Sequence, residues 1–403
     1  MTEKENSLLQ DKHILICLDV EKKDATNTHF NYLKNNFCGI ILTEIDNSFL
    51  PESDVIIYLC GNINQIYDTV KYIRLKTIYV VKEFSTNYDP SCENYTVIDV
   101  GQVPINVHNV GIYFRKLFNC NDYFNMIKNE HDFQTLTESN KPNNALRKGI
   151  YLSKVEANSD ELQYNLLRCS SNFNGPTDNF RNTDNFIIDQ LNNISQNFFR
   201  ENVEFNHVLA QIYENNDGKK AKIKAHSDKT KDMPKNGLIA FCTFYDNKPR
   251  DKKIQKSKTD MFDYCYNETS VLTKLYFKLK DTVEDQNLTK EFSIILYPNS
   301  VFLIPLLTNR LYTHEIRPSM LPIDKINVRM GYVVRCSKTK AIFKDNQTYI
   351  NENGEYTKLV EVNNDDLRRL RSLYFEENTT DKIINYGNIN FSMNHGDQLR
   401  PNL

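Results

Sequence analysis

The sequence has no tryptophan, no CxxC pair of cysteines and no long apolar run. Its longest apolar stretch, from Val301 to Leu307, is broken by Pro305 and falls far short of the roughly 18 residues that a membrane span needs. The nine cysteines are scattered from Cys17 to Cys336, whereas a disulfide framework or a zinc site would show clustered pairs. We therefore expect reduced cysteines and no membrane segment.

The chain also lacks a strong net charge and a secretory signal peptide. It has 50 Lys and Arg against 52 Asp and Glu, a net charge of -2, which excludes a uniformly basic nucleic-acid coat. The first residues, MTEKENSLLQDK, have neither a basic start nor an apolar stretch. These features predict an intracellular protein, cytoplasmic or nuclear, that is not secreted. A length of 403 residues suggests two or three domains.

Residues 1–105 alternate apolar strands with amphipathic helices. Strands are predicted at 13–20, 39–42, 54–60 and 77–81, and helices at 29–37 and 63–73, which indicates a small parallel α/β module. The turn after the first strand, Glu21-Lys22-Lys23-Asp24, has no phosphate-binding glycines. We expect a docking or scaffold module that binds a protein partner rather than a nucleotide.

Residues 106–345 change to a pattern of repeated short strands after a helix at 121–129. Eight strands with turn residues between them favour a jelly roll, or double-stranded β-helix, over a βαβ sheet. Residues 346–403 form a C-terminal extension with one helix, 364–374, and a loose tail. The prediction is thus an α+β multidomain protein. Its eight central strands are expected at 208–213, 220–226, 238–244, 271–279, 292–297, 301–305, 310–316 and 328–335.

A histidine and an aspartate lie two residues apart at the end of the second central strand. Because alternate residues of a strand point to the same face, His226 and Asp228 project together, on the face that also carries Lys220, Lys222 and Lys224. One imidazole and one carboxylate in this position suit a divalent first-row metal. A second His-x-Asp, His395-Gly396-Asp397, is followed by only six residues and no further histidine. After Asp228, in contrast, the chain offers His314 as a third ligand.

Two arginines follow His314 on the last central strand. Arg329 and Arg335 are six residues apart and therefore share a face. Arginine binds carboxylates through two parallel hydrogen bonds. Two imidazoles and a carboxylate would leave three positions open on iron, which suits a 2-oxo acid and O2. An arginine would then hold the second carboxylate of 2-oxoglutarate.

The combination resembles the AlkB-like branch of the iron(II)/2-oxoglutarate-dependent dioxygenases over roughly residues 110–340. The family motif is His-x-Asp, then Arg-Leu-aromatic-x-His-x-Ile-x-Pro, then two arginines six apart. This chain has His226-Ser227-Asp228, then Arg310-Leu311-Tyr312-Thr313-His314-Glu315-Ile316-Arg317-Pro318, then Arg329 and Arg335.

The resemblance implies roles for the matching residues. His226, Asp228 and His314 would bind Fe(II), and 2-oxoglutarate and O2 would be the cosubstrates. Arg329 would pair with the distal carboxylate of 2-oxoglutarate and Arg335 with the carboxylate next to iron, although these two roles could be exchanged. Tyr213, on the strand before His-x-Asp, matches a tyrosine that helps hold the cosubstrate.

The chain departs from the family pattern at three places. Gln211 stands where the family commonly has asparagine, and residues 214–220 are an insertion. Nucleobase-repair members often carry an acidic residue four positions after the first metal-binding histidine, and here that residue is Thr230. This departure weakens the base-repair interpretation and leaves the oxygenase chemistry unaffected.

Two lysine-rich stretches near the candidate site suggest the substrate. The stretch from Lys219 to Lys235 and the stretch from Lys248 to Lys258 each have a net charge of +5, so the remainder of the chain has -12. A local positive field favours nucleic acid. The sequence thus predicts an oxygenase that hydroxylates or oxidatively demethylates nucleic acid. The alternatives are a protein side-chain hydroxylase or demethylase of the same mechanism and a non-catalytic jelly-roll binding protein.

Overall fold

The computed structural model describes residues 10–18, 28–44, 55–70, 76–137, 144–168, 174–201, 203–215, 218–247, 253–352 and 354–403. Within these ranges the protein is a mixed α/β fold with five β-sheets and six α-helices. None of these helices is long and apolar enough to cross a membrane. The helices are Thr28–Asn36, Ile63–Val70, Tyr123–Glu130, Asn182–Phe198, Leu306–Leu311 and Asn364–Thr379.

The N-terminal region forms a five-stranded sheet in which all paired strands are parallel. Its inner strands carry apolar side chains on both faces because both faces are covered, and Leu15 and Ile16 are fully buried. The predicted strands are confirmed, and a further strand, Thr96–Ile98, was not predicted. The turn at 21–24 lies outside the described residues. In sheet order the strands are Ile40–Leu42, His13–Leu18, Val55–Asn62, Lys76–Thr86 and Thr96–Ile98.

This N-terminal sheet packs directly against the central region. The His13 ring stacks on Phe198 with 3.9 Å between ring centroids, and His13 Nε2 lies 3.0 Å from the Asn197 carbonyl oxygen. Phe37 forms a β-bridge with Ile105. The two regions therefore share a continuous apolar core.

The eight predicted central strands are all present, and they divide between two sheets. The first, third, sixth and eighth belong to a nine-stranded sheet, and the other four form a four-stranded sheet. Phe241 and Phe302 of the larger sheet contact Phe277 of the smaller one, with ring centroids 6.4 and 5.6 Å apart. The two sheets thus face each other across an apolar core.

The four-stranded sheet contains, in order, Ile223–His226, Tyr312–Ile316, Lys274–Leu279 and Glu291–Ile295. The predicted strand 310–316 begins later than expected, because Arg310 and Leu311 end the short helix Leu306–Leu311. The nine-stranded sheet contains Ile105–Val107, Gly111–Phe114, Ser300–Pro305, Leu238–Tyr245, Arg329–Arg335, His207–Tyr213, Asn144–Ser153 and Asp178–Asn179, with Gln134–Thr137 also paired to Asn144–Ser153.

The C-terminal residues are ordered, so the expectation of a loose tail is wrong. Helix Asn364–Thr379 packs through Leu370 and Tyr374 onto a small apolar cluster with Tyr386, Ile389 and Phe391. The domain boundary predicted at residue 345 falls in the turn between two paired strands of one sheet, Thr339–Lys344 and Gln347–Glu352. That five-stranded sheet contains Glu156–Asn158, Glu161–Leu166, Thr339–Lys344, Gln347–Glu352 and Glu355–Lys358, and a three-stranded sheet contains Gln255–Lys256, Tyr264–Tyr266 and Thr269–Ser270.

A buried charged triad fixes the start of helix Asn182–Phe198 to the outer face of the nine-stranded sheet. His131 Nδ1 lies 2.7 Å from Asp178 Oδ2, and its Nε2 lies 2.8 Å from Asp184 Oδ2. Tyr332 donates a 2.7 Å hydrogen bond to the other oxygen of Asp184. Burial disfavours the charged imidazole, but the two carboxylates outweigh it and raise the pKa of His131 to about 9.

We predict that His131 makes the stability of the fold pH-dependent. Because the folded pKa lies above the ordinary value of 6.5, the imidazolium stabilises the fold fully below pH 6.5, and this stabilisation is lost as the pH rises through 9. The destabilisation caused by His131→Gln should therefore shrink by on the order of 3 kcal/mol between pH 6 and pH 9.5, as measured by urea unfolding. The exposed His395→Gln serves as the control. An equal destabilisation by His131→Gln at both pH values would contradict this role.

Candidate metal centre

Two neighbouring strands of the four-stranded sheet bring the predicted histidines together. His226 and His314 are direct cross-strand partners, and their ring centroids are 4.4 Å apart. Asp228 lies two residues beyond His226, where the strand ends. One ligand atom from each of the three side chains lies within 4.8 Å of the others. The structure therefore places two imidazoles and one carboxylate where they could bind a single metal ion.

Asp228 is held by contacts on both its side chain and its backbone. Arg335 donates from Nε to Asp228 Oδ2 at 2.8 Å, and both residues are buried. Asn309, from helix Leu306–Leu311, accepts from the Asp228 backbone N–H at 2.8 Å and donates to its carbonyl at 2.9 Å. The carboxylate is thus fixed before any metal binds.

The protonation states of the three side chains suit metal binding, which requires neutral imidazoles and an ionised carboxylate. Burial acts to raise the pKa of Asp228, but the positive charge of Arg335 outweighs it and holds that pKa well below the ordinary value. Burial lowers the pKa of His314 to about 3, and the neighbouring His226 adds to this effect. The pKa of His226 is also lowered, mainly by burial.

The two imidazoles are oriented differently. His226 Nδ1 lies 2.9 Å from the Lys224 carbonyl oxygen, which sets the tautomer and leaves Nε2 to face Asp228. His314 is positioned by packing against Phe241 and Phe277. Its buried Nδ1 has no hydrogen-bond partner among the described residues. Two neutral imidazoles and one ionised carboxylate form a donor set that fits a divalent metal such as iron(II).

The remaining predicted residues lie on the inner face of the nine-stranded sheet, toward the four-stranded sheet. Arg329 and Arg335 are at opposite ends of one strand, about 20 Å apart along it. The Arg329 guanidinium lies over the Tyr213 ring, 4.3 Å from its centroid, and Tyr213 donates a 2.8 Å hydrogen bond to Gln211. A side chain at Gly331 would collide with Arg329 and Tyr213, so glycine leaves room for this cluster.

Sequence reasoning missed the residues of the C-terminal helix that hold the loop following His226. Asn378 accepts a 2.9 Å hydrogen bond from the Ser227 backbone N–H, between the two metal-ligand positions, and a 2.8 Å bond from Lys229 Nζ. Glu377 accepts from both the backbone N–H and the hydroxyl of Thr230. No local pattern could have identified these residues, because they are about 150 positions away in the chain.

The lysine-rich stretches are only partly available to a ligand. Lys231 is buried and pairs with Asp232 at 3.0 Å, and Lys229 is held by the C-terminal helix. The exposed lysines of the first stretch are Lys219, Lys222, Lys224 and Lys235. In the second stretch, residues 248–252 lie outside the described part of the chain, and Lys253, Lys256 and Lys258 are exposed.

Two other clusters with metal-ligand chemistry are better explained by internal contacts. Both nitrogens of His131 already bind carboxylates, as described above. At the second His-x-Asp, His395 is exposed and Asp397 is buried. Asp397 accepts hydrogen bonds from Ser392 and Asn394 at 2.6 and 2.9 Å. Among the described residues, the cluster of His226, Asp228 and His314 therefore remains the strongest metal-site candidate.

No protein-family model and no curated protein matches this chain. Among solved structures, a prolyl-4-hydroxylase from Pseudomonas putida is similar, with 12% sequence identity and a TM-score of 0.29. The similarity covers 55% of this chain and 89% of that one. Similarity at this level decides neither the fold nor the activity, so the site has to be judged by its own geometry.

We predict that Asn378 positions the metal ligands. Asn378→Ala removes the acceptor for the Ser227 N–H and should weaken Co(II) binding about 10-fold, because groups that orient metal ligands typically contribute 10- to 100-fold to affinity. Asn378→Asp keeps an acceptor oxygen and should bind Co(II) more tightly than Asn378→Ala. The measurement is a titration followed by the visible absorption of Co(II), with the exposed Asn388→Ala as control. Native affinity in Asn378→Ala would show that the C-terminal contact does not orient the site.

Proposed function

We propose that this protein is an iron(II)/2-oxoglutarate-dependent dioxygenase of the AlkB-like type. The observation that carries the proposal is the convergence of His226, Asp228 and His314 beside an inner sheet face that presents two buried arginines. This donor set is the two-histidine, one-carboxylate triad of non-haem iron oxygenases. The arginines supply the charge that a dicarboxylate cosubstrate needs.

The strand arrangement supports a jelly roll as the scaffold. Numbered along the chain, the central strands run 1-8-3-6 in the larger sheet and 2-7-4-5 in the smaller one. Apart from strands 4 and 5, which pair in the smaller sheet, successive strands thus cross between facing sheets, as the wound strands of a jelly roll do. This winding brings the end of strand 2, with His226, beside strand 7, with His314.

Each site residue has a defined task in this proposal. His226, Asp228 and His314 would hold iron(II), which together with O2 and 2-oxoglutarate supplies the oxidation of a substrate C–H bond. Arg329, stacked on Tyr213, would bind the distal carboxylate of 2-oxoglutarate. Arg335 balances the buried charge of Asp228 and would lie near the carboxylate next to the metal. The contacts made by Asn309 and Asn378 keep the loop following His226 in place while the cosubstrate enters.

The proposal predicts a visible charge-transfer band when iron(II) and 2-oxoglutarate are added to the protein under anaerobic conditions. His314→Ala removes a ligand and should abolish the band. Arg329→Ala removes a carboxylate partner and should raise the 2-oxoglutarate concentration for half-maximal absorbance by 10-fold or more, since a charge-assisted bidentate contact contributes about 1.5–3 kcal/mol. The exposed Arg317→Ala is the control. A band of unchanged strength in His314→Ala would contradict the triad.

As substrate we propose nucleic acid, on the basis of charge. Lys224 is exposed on the strand that ends at His226, and Lys222 is exposed directly before that strand. Lys219 and Lys235, also exposed, lie before and after them in the chain. These side chains can approach a phosphate backbone without breaking the internal ion pairs of Lys229 and Lys231. Hydroxylation of an N-methyl group would release formaldehyde, whereas a hydroxylated C-methyl group would be the final product.

We therefore expect the protein to bind heparin and single-stranded DNA at low salt. The double change Lys222→Glu with Lys224→Glu should lower the salt concentration at which the protein elutes. It should also reduce the slope of log affinity against log salt concentration by about 1–2, because one or two phosphate contacts are lost. The matched control is Lys338→Glu with Lys340→Glu, which changes the net charge by the same amount. Lys340 lies on strand Thr339–Lys344 of the five-stranded sheet, and Lys338 lies directly before this strand. An equal shift in both double variants would show a general charge effect and argue against a binding face.

One observation favours a protein side chain as the alternative substrate. The Thr230 hydroxyl and backbone N–H both donate to Glu377, so the C-terminal extension occupies the position from which base-repair enzymes contact the damaged base. If the native protein is not retained on heparin or DNA, a protein side chain becomes the favoured substrate.

A further inference from the structure

Arg115 is a buried cation outside the candidate metal centre. It follows directly after strand Gly111–Phe114 and is 4% exposed. Its guanidinium carbon lies over two aromatic rings, 4.9 Å from the centroid of Tyr32 and 4.5 Å from that of Phe262. These rings belong to the N-terminal helix Thr28–Asn36 and to the segment before strand Tyr264–Tyr266. Arg115 thus lies at a junction of three parts of the chain.

Two guanidinium nitrogens of Arg115 make no hydrogen bond within the part of the chain that the structure describes. They are Nε and Nη2, and both atoms are buried. These two nitrogens lie on one edge of the guanidinium and form the fork that binds an oxyanion through two parallel bonds. A buried charge without a partner is strongly unfavourable. An oxyanion bound to this fork would compensate the buried charge.

Another buried arginine of the same chain shows what such a fork normally holds. Arg168 uses the same two nitrogens to bind the carboxylate of Asp232, with a shortest distance of 2.7 Å from Nη2 to Oδ1. Asp260 is a candidate carboxylate partner for Arg115, because its charge acts on the Arg115 guanidinium. Asp260 instead accepts hydrogen bonds from the Phe262 backbone N–H and from the Tyr297 hydroxyl.

We infer that Arg115, beside Tyr32 and Phe262, is a binding site for a small oxyanion carrying a carboxylate or phosphate group. A bidentate oxyanion approaches in the plane of the guanidinium, along the edge formed by Nε and Nη2. The negative charge of Asp260 nearby favours a ligand of low charge over a polyphosphate. Tyr32 is 41% exposed, and rotation of its side chain would give access from solvent.

The site is separate from the metal centre, so the inference does not depend on the proposed oxygenase activity. The strand that leads to Arg115 is the third from the strand carrying Arg329 and Arg335, with Ser300–Pro305 and Leu238–Tyr245 between them. Three strand spacings amount to about 14 Å. Loss of Arg115 should accordingly leave Co(II) binding at His226, Asp228 and His314 unchanged.

The test is anion-dependent stabilisation of the full-length metal-free protein. Inorganic phosphate and acetate are titrated as separate probes, with chloride keeping the ionic strength constant, and the thermal unfolding midpoint is recorded. We expect at least one of the two anions to raise the midpoint with a saturating dose dependence, because a ligand that binds only the folded state stabilises it. The anion that acts at the lower concentration identifies the ligand class.

Two arginine variants make the result specific. Arg115→Met keeps an apolar chain beside the two rings and should lose the anion response entirely. Arg317→Met is the matched control, because Arg317 also stacks on an aromatic ring, Tyr276, while its fork is already bound to Glu291 and Glu315. The control should keep the native response. Saturating stabilisation that persists in Arg115→Met, or no stabilisation of the native protein by either anion, would overturn the inference.

Discussion

The ion pair between Asp228 and Arg335 is the contact on which the candidate site depends. Asp228 comes from the loop after a strand of the smaller sheet, and Arg335 comes from the last strand of the larger one. Both side chains are buried, so neither charge could stay in place without the other. This one contact keeps the carboxylate ionised, leaves its second oxygen directed toward His226, and fixes the position of one sheet relative to the other.

The space between the two sheets is divided into an apolar half and a polar half. Phe241, Phe277 and Phe302 fill the first and contribute to the core. The strands His207–Tyr213 and Arg329–Arg335 line the second with charged and hydrogen-bonding side chains. His314 stands at the boundary, packed on two phenylalanines while its ring meets His226. Apolar packing thus supplies the rigidity, and the adjoining polar surface supplies the chemistry.

The sequence predicted the features that depend on local pattern and spacing. Alternating apolar residues located the eight central strands, and the parity of His226 and Asp228 put both ligands on one face. The sequence could not reveal the contacts of Asn309, Glu377 and Asn378, because hydrogen bonds to backbone groups distant in the chain leave no periodic trace. The sequence likewise predicts one charged surface from Lys219 to Lys235, although Lys231 is buried in an ion pair.

The C-terminal extension changes the view of how the site is organised. Its helix accepts hydrogen bonds from the backbone on either side of Asp228. Lys280, directly after strand Lys274–Leu279 of the smaller sheet, donates to the carbonyls of Glu377 and Thr380. Residues that composition suggested were loose therefore hold the loop that carries Asp228.

The most direct test of the metal centre is anomalous diffraction at the iron edge from crystals of the protein loaded with iron(II) under anaerobic conditions. We expect one strong peak, within bonding distance of His226, Asp228 and His314 together. A principal peak elsewhere, such as among Glu130, His131 and Asp184, or no peak in iron-loaded protein, would contradict the assignment of this site.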